Sequence, residues 1–202
     1  MNILNTHTIL TLIRLILSPL VLPVVFVYLL PYNNLYINIL LAILFMAFSL
    51  TDFLDGYLAR KYSQETALGS VLDPIADKFL VYSTLLALAV VHKIYFFWVV
   101  LLIGREFFMM GLRQVALENS FSVKVSLLGK TKTFVQMACL TYIIVNPFQP
   151  MGYSNIWNMV ELILILATVV CSLFSAAVYY KIFIKKFIEK MNAENHKASN
   201  DH

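Results

Sequence analysis

LYINILLAILFMAFSLTDFLDGYLA, residues 35–59, is apolar for long enough to cross a bilayer, yet it carries Asp52 and Asp55 toward its end. The next apolar run, SVLDPIADKFLVYSTLLALAVVH at 70–92, reverses the order and carries Asp73 and Asp77 near its start. A stretch of roughly 20 apolar residues reads as a membrane-crossing helix. Backbone groups left unpaired in hydrocarbon are costly enough that only helices and closed barrels span membranes. Four further runs of this kind lie at about 9–30, 94–117, 131–148 and 156–182. The expected fold is therefore an all-α integral membrane protein of six transmembrane helices. It forms a single membrane domain over 1–190, which begins with a short interfacial N-terminal segment and is followed by a polar cytosolic tail at 191–202.

The rest of the chain agrees with that reading. Its 202 residues are 60% hydrophobic and 13% charged, more apolar surface than one soluble core of this size can bury. Turn residues fall between the runs, as in Pro31-Tyr32-Asn33-Asn34 and Asn146-Pro147-Phe148. Pro19 and Pro23 predict a bend in the first span. Cytosolic connections carry the excess of Lys and Arg. The connections near 31–34 and 147–155 have none and that near 92–93 has only Lys93, whereas Arg60, Lys61, Arg113, Lys124, Lys130, Lys132, Lys181, Lys185, Lys186 and Lys190 gather on the other side. Both termini are expected in the cytosol. The net charge of +4 lies on one side of a membrane, which suits anionic lipid headgroups and gives no reason to expect nucleic acid. Cys139 and Cys171 sit inside apolar runs without a CxxC spacing, and the four histidines are scattered, so neither suggests zinc or a disulfide.

The aspartates lack a structural reason to be where they are. An ionised side chain at a span centre costs roughly 2.5–3.5 kcal/mol on insertion scales, so four of them call for a compensating ligand. At about 100° per residue, Asp52, Asp55, Gly56, Ala59 and Arg60 share an arc of roughly 140°, and Gly69, Asp73 and Asp77 drift only about 40° per step. With a rise of about 1.5 Å per residue, Asp52 lies ~12 Å inward of Arg60 and Asp77 ~12 Å inward of Gly69. An antiparallel pair of helices would thus bring all four carboxylates together. Such a cluster repels itself unless cations bind, and an all-oxygen donor set favours a hard ion, Mg²⁺ or Mn²⁺. Gly56 and Gly69 leave room for a diphosphate beside the backbone, and Arg60 can neutralise phosphate. Intramembrane acids also mark proton or ion pathways, so a transporter stays open beside an enzyme.

In order, these residues read Asp52-x2-Asp55-Gly56-x2-Ala59-Arg60-x8-Gly69-x3-Asp73-x3-Asp77, which resembles the signature of the CDP-alcohol phosphatidyltransferase family. The resemblance implies a six-helix, usually dimeric membrane enzyme. In it Asp52, Asp55, Asp73 and Asp77 hold divalent metal, and Asp52, Asp55, Gly56, Ala59, Arg60, Gly69 and Asp73 contact the CDP-lipid. Asp77 would be the general base for attack by an alcohol, with release of CMP.

The acceptor alcohol has to be read from spans four and five. Arg105 and Arg113, eight residues apart, fall on nearly one helix face, and Lys130 and Lys132 follow at the mouth of span five. Such a group of cations suits a phosphate on the acceptor, while positive-inside topology accounts equally for Arg113. Glu106 is expected to pair with a cation inside the bundle, with a direct contact to the acceptor as the alternative. Gly104-Arg105-Glu106 and Gly129-Lys130-Thr131-Lys132-Thr133-x2-Gln136, with Leu10-Thr11-x2-Arg14 and Pro19, are similar to the phosphatidylglycerophosphate synthase branch of that family. His7-Thr8 departs from the Pro-Asn often found there. The branch implies CDP-diacylglycerol and sn-glycerol 3-phosphate as substrates, with Arg105, Arg113, Lys130 and Lys132 around the acceptor phosphate. It also implies a homodimer among membrane lipids, in a bacterial inner membrane with the site facing the cytosol. Phosphatidylglycerol or inositol phosphate as acceptor, an ion or proton transporter, and a catalytically silent scaffold are the competing readings.

Overall fold

A computed structural model describes the backbone of residues 20–61, 67–119, 121, 127–148 and 155–200, and the side chains of these except 51–77, 127–128, 130 and 193–200. Among the described residues every regular element is helical. Helix α1 spans Leu20–Tyr32, its last turn being 3₁₀, and is followed by α2 (Leu35–Lys61), α3 (Ala67–Val90), α4 (Phe96–Glu118), α5 (Leu127–Val145) and α6 (Ile156–Asn200). The all-α expectation is met. Residues 20–29 stay helical through Pro23, and Arg14 and Pro19 lie outside the described residues. Helix α6 runs well past the span expected at 156–182 and through most of the expected tail. No Pro or Gly interrupts it after Gly152, and its Lys185–Glu189 pair at i,i+4 favours helix.

Local chemistry sets the helix ends. Asn33 adopts a left-handed conformation (φ 50°) that closes the 3₁₀ turn, and the Asn34 side chain accepts the Tyr36 N–H at 2.9 Å to start α2. His92 takes the left-handed position after α3 (φ 58°), with Lys93 N–H bonded to Leu88 O and His92 N–H to Ala89 O, the double closure of a Schellman motif. Asn155 caps α6 through Trp157 N–H at 3.2 Å.

The chain forms two compact units. Unit 1 comprises residues 1–99 and 138–162, with a core that includes Phe26, Phe45, Leu80, Leu85, Leu88, Leu140 and Ile143. Unit 2 comprises residues 100–137 and 163–202, where Met109, Ala116, Ala176, Tyr179 and Phe183 pack with Leu112, Phe121, Ile184 and Phe187. In both, large apolar side chains point outward. Leu40 and Val170 are each 64% exposed and Ile163 62%, while Asn38, Lys93, Asn146, Glu106, Lys132 and Ser172 are buried. This inverts the soluble pattern and fits an apolar solvent. The stretch Ile156–Asn192 is one helix long and apolar enough to cross a membrane, and shorter apolar helices lie at Leu20–Tyr32, Leu35–Leu50, Lys78–Val90 and Thr131–Val145.

Candidate functional site

In unit 1 the backbone is helical without a break from Leu35 through Asp52, Asp55, Gly56, Ala59 and Arg60 to Lys61. It is helical again from Ala67 through Gly69, Asp73 and Asp77. The unbroken helix assumed from the spacing is therefore present in both segments, and α2 and α3 pack against one another. The side chains of these motif residues lie outside the described residues, so the metal and CDP-lipid assignments rest on backbone register and donor chemistry. Four carboxylates on two neighbouring helices are the oxygen-only set that suits Mg²⁺ or Mn²⁺.

Unit 2 holds the second group. Arg105, on α4, donates through Nη1 to Glu106 Oε1 at 2.5 Å and through Nε to the Ser172 carbonyl of α6 at 3.0 Å. Lys132, one turn into α5, donates Nζ to the same oxygen, Glu106 Oε1. The side chains of Arg105, Glu106 and Lys132 are only 9%, 6% and 6% exposed, so three charges meet in a place nearly free of water. In such surroundings a lone cation would be strongly disfavoured, and the shared carboxylate offsets that. Ser172 is buried, and its Oγ has no hydrogen-bond partner among the described residues. Gln136 is buried on α5, one turn beyond Lys132. Of the four cations expected around an acceptor phosphate, the structure brings Arg105 and Lys132 to one carboxylate. Arg113 is exposed, with its guanidinium 5.9 Å from the centre of the Tyr179 ring, and the side chain of Lys130 lies outside the described residues. The expected pairing of Glu106 is observed. The Ser172 contact was not foreseen, because a backbone carbonyl leaves no mark in a sequence.

A further polar cluster in unit 1 was missed from sequence. Lys93, read as a lone basic residue in a connection, is fully buried and donates to the carbonyls of Asn146 at 2.5 Å and Phe148 at 3.2 Å. Asn146 donates in turn to Asn158 Oδ1 at 3.1 Å and Glu161 Oε2 at 2.6 Å. Burial lowers the pKa of the Lys93 ammonium, and the nearby Glu161 charge opposes that shift. The available signal was the recurrence of Asn38, Lys93, Asn146, Asn158 and Glu161 close to the ends of apolar runs on the side opposite the aspartates.

A sequence model of the CDP-alcohol phosphatidyltransferase family matches residues 4–174. The chain is similar to proteins named CDP-diacylglycerol–glycerol-3-phosphate 3-phosphatidyltransferase. With that of Rickettsia bellii it shares 44% identity over 105 residues, 52% of this chain and 58% of the relative. With that of Rickettsia felis it shares 37% over 142 residues, 70% of this chain and 76% of the relative. With that of Salmonella choleraesuis it shares 38% over 160 residues, 76% of this chain and 80% of the relative.

Proposed function

The chain belongs to the CDP-alcohol phosphatidyltransferase family, and from that premise we propose that it transfers the phosphatidyl group of CDP-diacylglycerol to sn-glycerol 3-phosphate. The products are phosphatidylglycerophosphate and CMP. The observation that carries the reading is the intact aspartate motif on two continuous, mutually packed helices, joined to relatives that bear that activity in their names.

In this reading Arg105 and Lys132 bind the 3-phosphate of the acceptor, one of whose two hydroxyls attacks the phosphorus that carries the diacylglycerol. Asp77 takes the hydroxyl proton as the oxygen attacks, the bond from that phosphorus to the bridging oxygen breaks, and CMP leaves with the electron pair. Asp52, Asp55, Asp73 and Asp77 would hold Mg²⁺ or Mn²⁺. The bound ion supplies charge neutralisation on the diphosphate. Arg60 adds a cation at the headgroup level, and Gly56 and Gly69 admit the diphosphate close to the backbone. Arg113 and Lys130 add positive charge that favours an anionic acceptor.

The six helices cross the bacterial inner membrane, with both termini and the aspartate site on the cytosolic side, and the enzyme works as a homodimer among membrane lipids. Outward-facing apolar side chains support the bilayer placement. So does α6: Ile156–Asn192 rises about 55 Å, beyond the ~30 Å hydrocarbon core. It therefore projects past the headgroups where Lys181, Lys185, Lys186 and Lys190 stand, which supports a cytosolic end there. The test is CMP release by the purified protein in detergent with CDP-diacylglycerol and Mg²⁺. Release is expected with glycerol 3-phosphate but not with inositol phosphate, phosphatidylglycerol or no acceptor, and Asp77→Asn should slow it by about 10²–10⁴-fold. Release with a different alcohol would keep the chemistry and change the acceptor. Flux across sealed vesicles without CMP release would replace the enzyme with a transporter.

A further inference from the structure

Glu106 does more than neutralise a buried cation. One of its oxygens, Oε1, takes hydrogen bonds from both Arg105 and Lys132, two cations whose side chains are 9% and 6% exposed and which suit a phosphate. A carboxylate held this way occupies the position that an anionic ligand would take on the same donors. Arg105 is tied independently through Nε to the Ser172 carbonyl, so its guanidinium stays in place whether or not Glu106 holds Nη1. Ser172 Oγ, on the residue that makes that contact, is buried without a partner among the described residues, and an unmade bond of a buried hydroxyl is unfavourable. A ligand oxygen is what this hydroxyl lacks.

We infer that Glu106 is a resident anion of the acceptor site, competing with the acceptor's phosphate for Arg105 and Lys132 and thereby holding acceptor affinity down. The inference rests on the proposed placement of the acceptor phosphate, and it identifies Glu106 as a positioning residue and Ser172 as an added contact. With Glu106 ionised the empty site is already satisfied, and a phosphate monoester must displace a charge-assisted pair to bind. Without that charge Arg105 and Lys132 lose a shared counter-charge, and an entering phosphate supplies one. Ligand binding is stronger where the free state is worse, and the coupling between the two anions is reciprocal.

The experiment is thermal unfolding of the full chain in detergent micelles against inorganic phosphate, without CDP-lipid, for wild type and Glu106→Gln. It is paired with KM measurements for both substrates. Glu106→Gln is expected to melt lower without phosphate, to bind phosphate about tenfold more tightly, within the 5–150-fold range typical of site coupling, and to show a lower KM for glycerol 3-phosphate with KM for CDP-diacylglycerol unchanged. A merely structural ion pair would lower the melting temperature without raising phosphate affinity. If Glu106→Gln does not fold, Glu106→Asp, which withdraws the charge by one methylene, should shift affinity the same way by about threefold. Phosphate affinity at or below wild type in whichever variant folds overturns the inference, as does a wild-type protein that phosphate does not stabilise. Tighter phosphate binding in a protein that releases no CMP with glycerol 3-phosphate upholds the resident anion and removes the proposed acceptor.

Discussion

Replacing Lys93 with Met tests whether the buried cluster of unit 1 is held by a charge. The ammonium is fully buried and donates to two backbone carbonyls, Asn146 at 2.5 Å and Phe148 at 3.2 Å, while Glu161 lies close enough to act on it electrostatically. Methionine fills similar volume but withdraws the ammonium from both carbonyls, leaving Asn146 O only the Asn38 amide at 3.4 Å, and leaves Glu161 without its cation. Hydrogen bonds to charged groups are worth about 1.5–3 kcal/mol each, and removing one partner of a buried charge pair costs about 3–5 kcal/mol. The losses overlap because they share one ammonium, so about 3–5 kcal/mol is the expected total. For a chain of this size that converts at about 2–4 °C per kcal/mol into a fall of roughly 6–20 °C in melting temperature. Unfolding can be followed by thiol labelling, since Cys139 is buried in the folded state. The exposed Lys181→Met is the control and should stay within about 0.5 kcal/mol of wild type. The pH dependence has a definite sign. Burial sets the folded pKa of Lys93 below its unfolded value of 10.5, so between the two the unfolded chain binds more protons and stability rises with pH. That alkaline gain levels off above 10.5 and should be missing from Lys93→Met. A variant melting within about 2 °C of wild type, below the least fall these energies allow, would refute the argument.

Three further outcomes are expected. His92→Gly should raise stability by about 0.5–1 kcal/mol, because glycine takes the left-handed conformation at φ 58° without the Cβ penalty, as a denaturation midpoint would show. Asn155→Ala removes the cap on Trp157 N–H and should cost about 1 kcal/mol by the same measurement. Chelation should stop CMP release and Mg²⁺ or Mn²⁺ should restore it, with Asp52→Asn raising the Mg²⁺ concentration needed.

The helices were legible because a run such as 35–59 is too apolar and too long for other readings, and the motif was legible because its spacing is helical. Helix ends were less so: α5 begins at Leu127, four residues before the expected span, because Leu127, Leu128 and Gly129 sit outside the apolar pattern that marks the membrane and still suit a helical turn. Polar partners were legible only where both were side chains near in sequence, as with Arg105 and Glu106. Lys132 reaches Glu106 across 26 positions, and Lys93 reaches Asn146 across 53. No pattern along the chain specifies such pairings, since they follow from which helices pack together.

Lys93 also bears on which side of the membrane is which. Under the proposed topology it is the exception, a basic residue on the side where connections otherwise lack one. A cation near the surface there would work against orientation without return. Its ammonium is instead enclosed by the carbonyls that follow α5 and faces Glu161 near the start of α6. The desolvation of that charge is offset by bonds that tie the α3–α4 connection to the residues after α5. Moving the lysine one place, as in His92→Lys combined with Lys93→His, would keep the charge count and so the topology. It would remove the ammonium from those carbonyls, and stability should fall as far as in Lys93→Met. A double variant as stable as wild type would mean that the charge matters only for orientation.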